Sequence, residues 1–246
     1  MTLRGKRIVI TRARHQAVAF ANLLREHGAT PILYPCIAII PPDDPAPLDE
    51  ALARLSNYDW MLITSTNTVD IIHQRLTERN SSPDFGAIKI GAIGTSSANA
   101  VKTIFGRDVN FIPSRGTAHH LGIELPMIAG EKIFLPQSAI ANHVLADTLI
   151  ERGGIVMAMS AYQTVTDTGG DDLPALLAQN QIDAITFTSS SCVIHFLYKL
   201  GYVPDVTVAC IGNVTAQTAR EVGFARVLIA DNTDLGGLIT LLNSAV

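Results

Sequence analysis

The chain repeats itself. Residues 7–28 align with 132–153 at an offset of 125, pairing Ile8 with Ile133, Ala21 with Ala146, Leu24 with Leu149, Glu26 with Glu151 and Gly28 with Gly153. Residues 58–69 align with 182–193 at an offset of 124, which pairs Asp59 with Asp183, Thr64 with Thr188, Ser65 with Ser189 and Val69 with Val193. Residues 92–98 align with 210–216 at an offset of 118. Three blocks in the same order at nearly constant spacing read as a duplication, so 246 residues divide into two similar half-size domains.

Each block is a short apolar run that ends at Gly, Ser or Thr and leads into a segment of helical period. RIVIT (7–11) precedes a helix whose core stripe is Ala17, Phe20, Ala21 and Leu24, closed at Gly28. MLITS (61–65) precedes a helix with Val69, Ile72 and Leu76 on one face, and IGAIG (90–94) leads to Ala98, Val101 and Ile104. Strands alternating with helices imply parallel sheets covered on both faces. The expected fold is therefore α/β, with two similar parallel-sheet, three-layer domains from an internal duplication. After the first block of each copy comes an apolar, β-prone stretch, 32–40 and 157–165, with Ile37 falling opposite Tyr162. Two such stretches at equivalent points predict a two-stranded connector that pairs as a small ladder and acts as a semi-rigid hinge.

Charge and motifs exclude several classes. Lys and Arg number 18 against 22 Asp and Glu, so the basic excess of a nucleic-acid binder is missing. No apolar run approaches the ~18 residues that span a bilayer, and IVI (8–10) is too short for a signal segment, so no membrane partner and a cytoplasmic location are expected. Cys36, Cys192 and Cys210 are far apart and odd in number, and read as buried thiols in a reducing compartment. The seven histidines form no metal-binding spacing, and neither a dinucleotide fingerprint nor a P-loop nor a nucleophile elbow is present, so metal catalysis is not expected and dinucleotide and P-loop readings lose their main support. His119 and His120 fall at the start of a helix capped by Thr117.

In a parallel α/β domain, ligands meet the turns at the carboxyl ends of the strands. Here those turns are 11–16, 64–67, 94–97, 136–142, 188–191 and 212–215, and nearly all offer neutral donors. Helix starts present unpaired amides and a partial positive charge, so six such turns facing one cleft suit a polyanion. Serine and threonine are equally ordinary helix caps, and most caps bind nothing. Arg12 stands directly after a strand end, where a guanidinium forks onto a carboxylate as readily as it faces solvent or bridges a core. Arg115, near another strand end, reads as solvated. Tyr162 lies in the connector, where its phenol can assist an oxygen leaving group, although strand tyrosines commonly serve packing alone.

Taken together, TRARHQAVAFANLLREHGA, DWMLITSTNTV, AIGTSSANA, SAYQT, ITFTSSSCV and ACIGNVTAQTA resemble the uroporphyrinogen-III synthase family along essentially the whole chain. The resemblance implies that the first strand-helix block crosses over, so that one domain combines 1–35 with 167–246 and the other holds 40–160, with 36–40 and 160–166 as connectors. It also implies an enzyme that dehydrates and cyclises hydroxymethylbilane, an octacarboxylate, with inversion of the last pyrrole ring, and that needs neither cofactor nor metal. By motif position it makes Tyr162 the catalytic candidate, Ser65, Ser97, Ser189, Ser191 and Thr215 binding hydroxyls, and Thr11 and Arg12 further contacts. Many bacterial relatives carry a Gly-rich turn followed by Arg where PQSAIAN (136–142) stands. Asn142 lies near that position, so one charged contact of the family is missing. A monomer is expected. A non-enzymatic binding module of the same design, or a subunit that kept the fold without activity, remains the alternative reading.

Overall fold

A computed structural model describes residues 3–246. The chain runs β1 (Arg7–Ile10), α1 (Arg14–Glu26), β2 (Thr30–Leu33), β3 (Ile37–Ile40), α2 (Ala46–Ala53), β4 (Trp60–Ile63) and α3 (Thr66–Glu78). There follow β5 (Lys89–Ala92), α4 (Thr95–Phe105), α5 (Ala118–Glu124), β6 (Lys132–Ser138), α6 (Val144–Glu151) and β7 (Ile155–Thr166). The remainder is α7 (Leu173–Ala178), β8 (Ala184–Phe187), α8 (Ser190–Leu200), β9 (Thr207–Cys210), α9 (Asn213–Glu221), β10 (Val227–Ile229) and α10 (Leu235–Ala245).

Two compact units result. One takes the described residues up to Ala38 together with Thr164–Val246, and the other is Ile39–Gln163. Both cuts fall within the segments read as connectors, and β3 and β7, which contain them, are neighbours in one sheet.

The first unit holds a five-stranded sheet in the order β10-β9-β8-β1-β2, all parallel. Read from β2 this is the doubly wound order 2-1-3-4-5, in which the chain reverses direction across the sheet between its two central strands, here β1 and β8. One face packs Ile8, Ile10 and Ala184 against the α1 stripe Ala17, Phe20, Ala21 and Leu24 and against Leu238 and Leu242 of α10. On the other, Phe187 and Phe196 meet edge to face with centroids 5.4 Å apart, and Phe187 and Phe224 at 5.5 Å. Both faces are covered, as parallel strands require.

The second unit repeats this plan. Its sheet runs β3-β7-β6-β4-β5, and Phe111 bridges in parallel to Gly91 beside β5. Thus β7, β6, β4, β5 and Phe111 take the places of β2, β1, β8, β9 and β10. Alternation decides the layers: Met61 and Ile63 face the helices α2, α3 and α4, whereas Trp60 and Leu62 face α5 and α6.

The aligned residues repeat their interactions too. The Asp59 carboxylate accepts the Lys132 amide at 2.8 Å, and Asp183 accepts the Arg7 amide at the same distance, each tying one central strand to the next. Gly28 and Gly153 both sit at φ +84°, where a left-handed residue ends α1 and α6. All three cysteines are buried and free. Among the described residues no helix is long and apolar enough to cross a membrane.

Candidate functional site

The crevice of a doubly wound sheet opens outside the carboxyl ends of its strands, at the switch point. In the first unit that point lies where β1 and β8 end, the register Ile10 to Thr186 bringing the Thr11–Ala13 turn beside Thr188–Ser191. Ser189 caps α8, its Oγ accepting the Cys192 amide at 3.2 Å and lying 2.8 Å from Ser191 Oγ. Helix α1 begins at Ala13 with no side-chain cap.

Arg12 is half-buried beside these hydroxyls. One of its terminal nitrogens donates to Gln16 at 3.1 Å, while Nε is inaccessible to solvent and has no acceptor. Among the described residues it makes no ion pair, and burial lowers its pKa, partly opposed by the nearby Cys192. A desolvated donor left unpaired costs about 1–3 kcal/mol.

Thr11, expected as a further contact, has its hydroxyl engaged within the protein. It is 1% exposed, and its hydroxyl donates to the Thr186 carbonyl at 2.7 Å while Thr186 Oγ1 donates to Val9 O at 2.7 Å. The reciprocal pair joins β1 to β8 inside the sheet, so the hydroxyl's one proton is already committed.

The other expected hydroxyls sit at helix starts. Ser65 caps α3 and accepts the Asn67 amide at 3.2 Å. Ser97 and Thr215 are the third residues of α4 and α9, which begin at Gly94 and Gly212 with backbone angles of −171°, 176° and −171°, 175°. Glycine supplies no side-chain acceptor there, so the first-turn amides of both helices stay available to a ligand. Among the described residues neither the Ser97 nor the Thr215 hydroxyl has a hydrogen-bond partner, although both side chains are largely buried.

Tyr162 is 7% exposed and packs within the apolar cluster that includes Val69, Phe134 and Ala161. The β6–β7 ladder slips by one residue between Gln137 and Ser138, so that Ser138 faces Tyr162. Bulges of this kind re-aim side chains near active sites. No partner for the phenol is found among the described residues. Two other groups in this unit have no signal in the sequence, the buried and unpartnered hydroxyls of Thr68 in α3 and Ser160 in β7.

His120 donates its amide to the capping Thr117 Oγ1 at 3.2 Å, placing both histidines at the start of α5. Among the described residues no three His, Cys, Asp or Glu side chains converge as metal ligands would.

Comparison with known proteins agrees with this architecture. Residues 18–240 match the family model described as uroporphyrinogen-III synthase HemD. The chain belongs to the uroporphyrinogen-III synthase family. It is 31% identical to a uroporphyrinogen-III synthase of Synechococcus elongatus over 96% of this chain and 93% of that one. It is 28% identical to a porphyrin biosynthesis protein HemD of Ruminiclostridium josui over 97% of its length, but spans only 48% of that longer relative. Among solved structures, a mutant uroporphyrinogen III synthase from Thermus thermophilus has the same fold, with a TM-score of 0.64, 21% identity and 98% of both chains covered.

Proposed function

We propose that this protein cyclises hydroxymethylbilane to uroporphyrinogen III, losing water and inverting the last pyrrole ring through a spiro intermediate. The family match along nearly the whole chain carries this reading. The Arg12 guanidinium, which makes no ion pair among the described residues, and the open starts of α4 and α9 give it chemical sense.

Loss of hydroxide from the hydroxymethyl carbon is assisted by the first pyrrole, whose nitrogen lone pair supplies electrons and leaves an azafulvene cation. Without direction that cation closes to the uninverted isomer. The protein's work is therefore positioning: the substituted carbon of the last ring must attack, and the spiro bond must break and reform inverted, which is catalysis by orientation. Carboxylates of the substrate are taken by Arg12, by Ser65, Ser97, Ser189, Ser191 and Thr215, and by first-turn amides. Such neutral donors hold an octa-anion without a basic surface, in keeping with a net charge of −4. Tyr162 donates its phenolic hydrogen bond to the departing hydroxyl, a contribution of ~10²–10⁴-fold for a general acid.

The same reading takes 1–35 with 167–246 and 40–160 as the domains, and places a monomer in the cytoplasm, where the three buried thiols stay reduced. No nucleic acid takes part. Incubation of the protein with hydroxymethylbilane followed by separation of the isomers tests the activity. Isomer III in excess is the expected product, and isomer I alone at the uncatalysed rate refutes it.

A further inference from the structure

Within the second unit, the register of β6 against β7 decides which face of the sheet receives Tyr162. From Lys132 opposite Ile155 to Gln137 opposite Ser160 the strands pair one to one. Ser138 then stands opposite Tyr162, which leaves Ala161 as an extra residue in β7. Residues opposite each other in a ladder point to the same face, and successive residues along a strand alternate. Phe134, opposite Met157, lies with Met61 and Ile63 in the core that α3 covers. Ile133, opposite Val156, lies on the other face with Leu145 and Leu149 of α6.

Unbroken alternation from Val156 through Ala158 and Ser160 would carry Tyr162 to the α6 face. The extra residue breaks it. Ala161 and Tyr162 both pack in the cluster that holds Val69 and Ile72, so the ring lies on the face of α3. That helix is capped by Ser65, two residues beyond the end of β4, and the residue opposite Tyr162 is the last of β6. The tyrosine thus reaches the carboxyl ends of the two strands that flank this unit's switch point.

Two backbone bonds lock the register. The Ala139 amide donates to the Tyr162 carbonyl at 2.8 Å, directly after the bulge, and the Ala141 amide donates to the Ser138 carbonyl at 3.0 Å, closing a turn over 138–141. A bulge leaves one residue unpaired and interrupts the ladder, and such features re-aim side chains.

We propose that the bulge at Ala161, locked by the Ala139 amide, is a positioning element for the reaction, because it holds the Tyr162 phenol on the α3 face where a straight ladder would turn it away. The inference rests on the proposed role of that tyrosine.

Steady-state kinetics of the full chain with hydroxymethylbilane test it, with circular dichroism to check folding. Ala139→Pro removes the locking amide at an exposed position, the second of its turn, where proline is favoured. It is expected to lower kcat about tenfold or more with KM within about twofold, because small displacements of a reacting group cost rate rather than affinity. Ala139→Ser, which keeps the amide, retains wild-type kcat. One alanine inserted between Gln137 and Ser138 restores one-to-one pairing, should bring kcat down to that of Tyr162→Phe, and carries the test if Ala139→Pro fails to fold. Added to Tyr162→Phe, either change should cost less than about a further twofold.

Wild-type kcat in either variant once folded, or losses confined to KM, would overturn the positioning role while leaving the tyrosine reading intact. An equal loss of kcat with and without the phenol overturns it as well. Full activity of Tyr162→Phe instead overturns the tyrosine reading, and with it the purpose assigned to the bulge.

Discussion

At the residue scale, the hydroxyls separate by where their protons go. Thr11 spends its proton on the Thr186 carbonyl, whereas among the described residues Ser97, Thr215 and Tyr162 make no such bond. Thr11→Val is therefore expected to lower stability by about 1–3 kcal/mol and leave KM unchanged, since it orphans a buried carbonyl. Chemical denaturation beside kinetics reads both. Ser97→Ala and Thr215→Ala should each raise KM, by up to about tenfold for a hydrogen bond to a carboxylate worth 1.5 kcal/mol. Neither hydroxyl is the N-cap of its helix, so the melting temperature should hardly move, and unchanged KM in both variants would remove them from the site. Tyr162→Phe should lower kcat by ~10²-fold or more in a protein that folds normally, because the ring keeps its place in the apolar cluster. Circular dichroism checks the fold, and an undiminished kcat would leave the phenol without a part in the chemistry.

At the element scale, helix starts make up much of the proposed site. Helices α3 and α8 begin at serines whose oxygens accept their own first-turn amides, while α4 and α9 begin at glycines that leave those amides open. The four starts alternate in the same way in both units. The last helix obeys a tighter constraint, since a Cβ on Gly237 would collide with the Asn232 carbonyl while the Gly237 amide caps onto Asp234 at 2.7 Å. Gly237→Ala is accordingly expected to destabilise by about 1–3 kcal/mol through forced backbone displacement. A urea midpoint equal to wild type would show that the 232–237 turn shifts freely.

At the scale of the whole molecule, charge is sparse and placed at joints. Arg75 holds the Asp49 carboxylate through bonds of 3.0 and 2.6 Å, joining α2 to α3, and this lowers its pKa. Arg14 does the same for Asp167. Burial lowers the pKa of His195. Each group has a folded pKa below its unfolded one, so its contribution to stability is full above the unfolded value and is lost on acidification. Unfolding by urea should thus need less denaturant at pH 5 than at pH 7, the histidine charging below about 6.5, and less again below about 4 as the carboxylates protonate. Asp49→Asn should flatten the second fall and His195→Gln the first. A midpoint constant from pH 7 to 5 would contradict the assignment of the first step.

Much of this was legible in the order of residues alone. The repeated blocks predicted two related units, and Asp59 and Asp183, aligned by spacing, make the same bond in each. The stripe Ala17, Phe20, Ala21 and Leu24 is buried because a period of 3.6 turns those positions to one side whatever lies opposite. Strand ends and helix caps were equally visible, being local matters of backbone and side chain within a few residues. The sequence left open whether the first strand-helix block stays with its own copy or crosses, since either arrangement buries the same apolar faces. It was likewise silent on the proton of Thr11, on the orphaned nitrogen of Arg12 and on the meeting of Arg14 with Asp167, 153 residues away. Those depend on which strands become neighbours, and only the tertiary fold, by choosing the partner of β1, decides where each donor finds its acceptor.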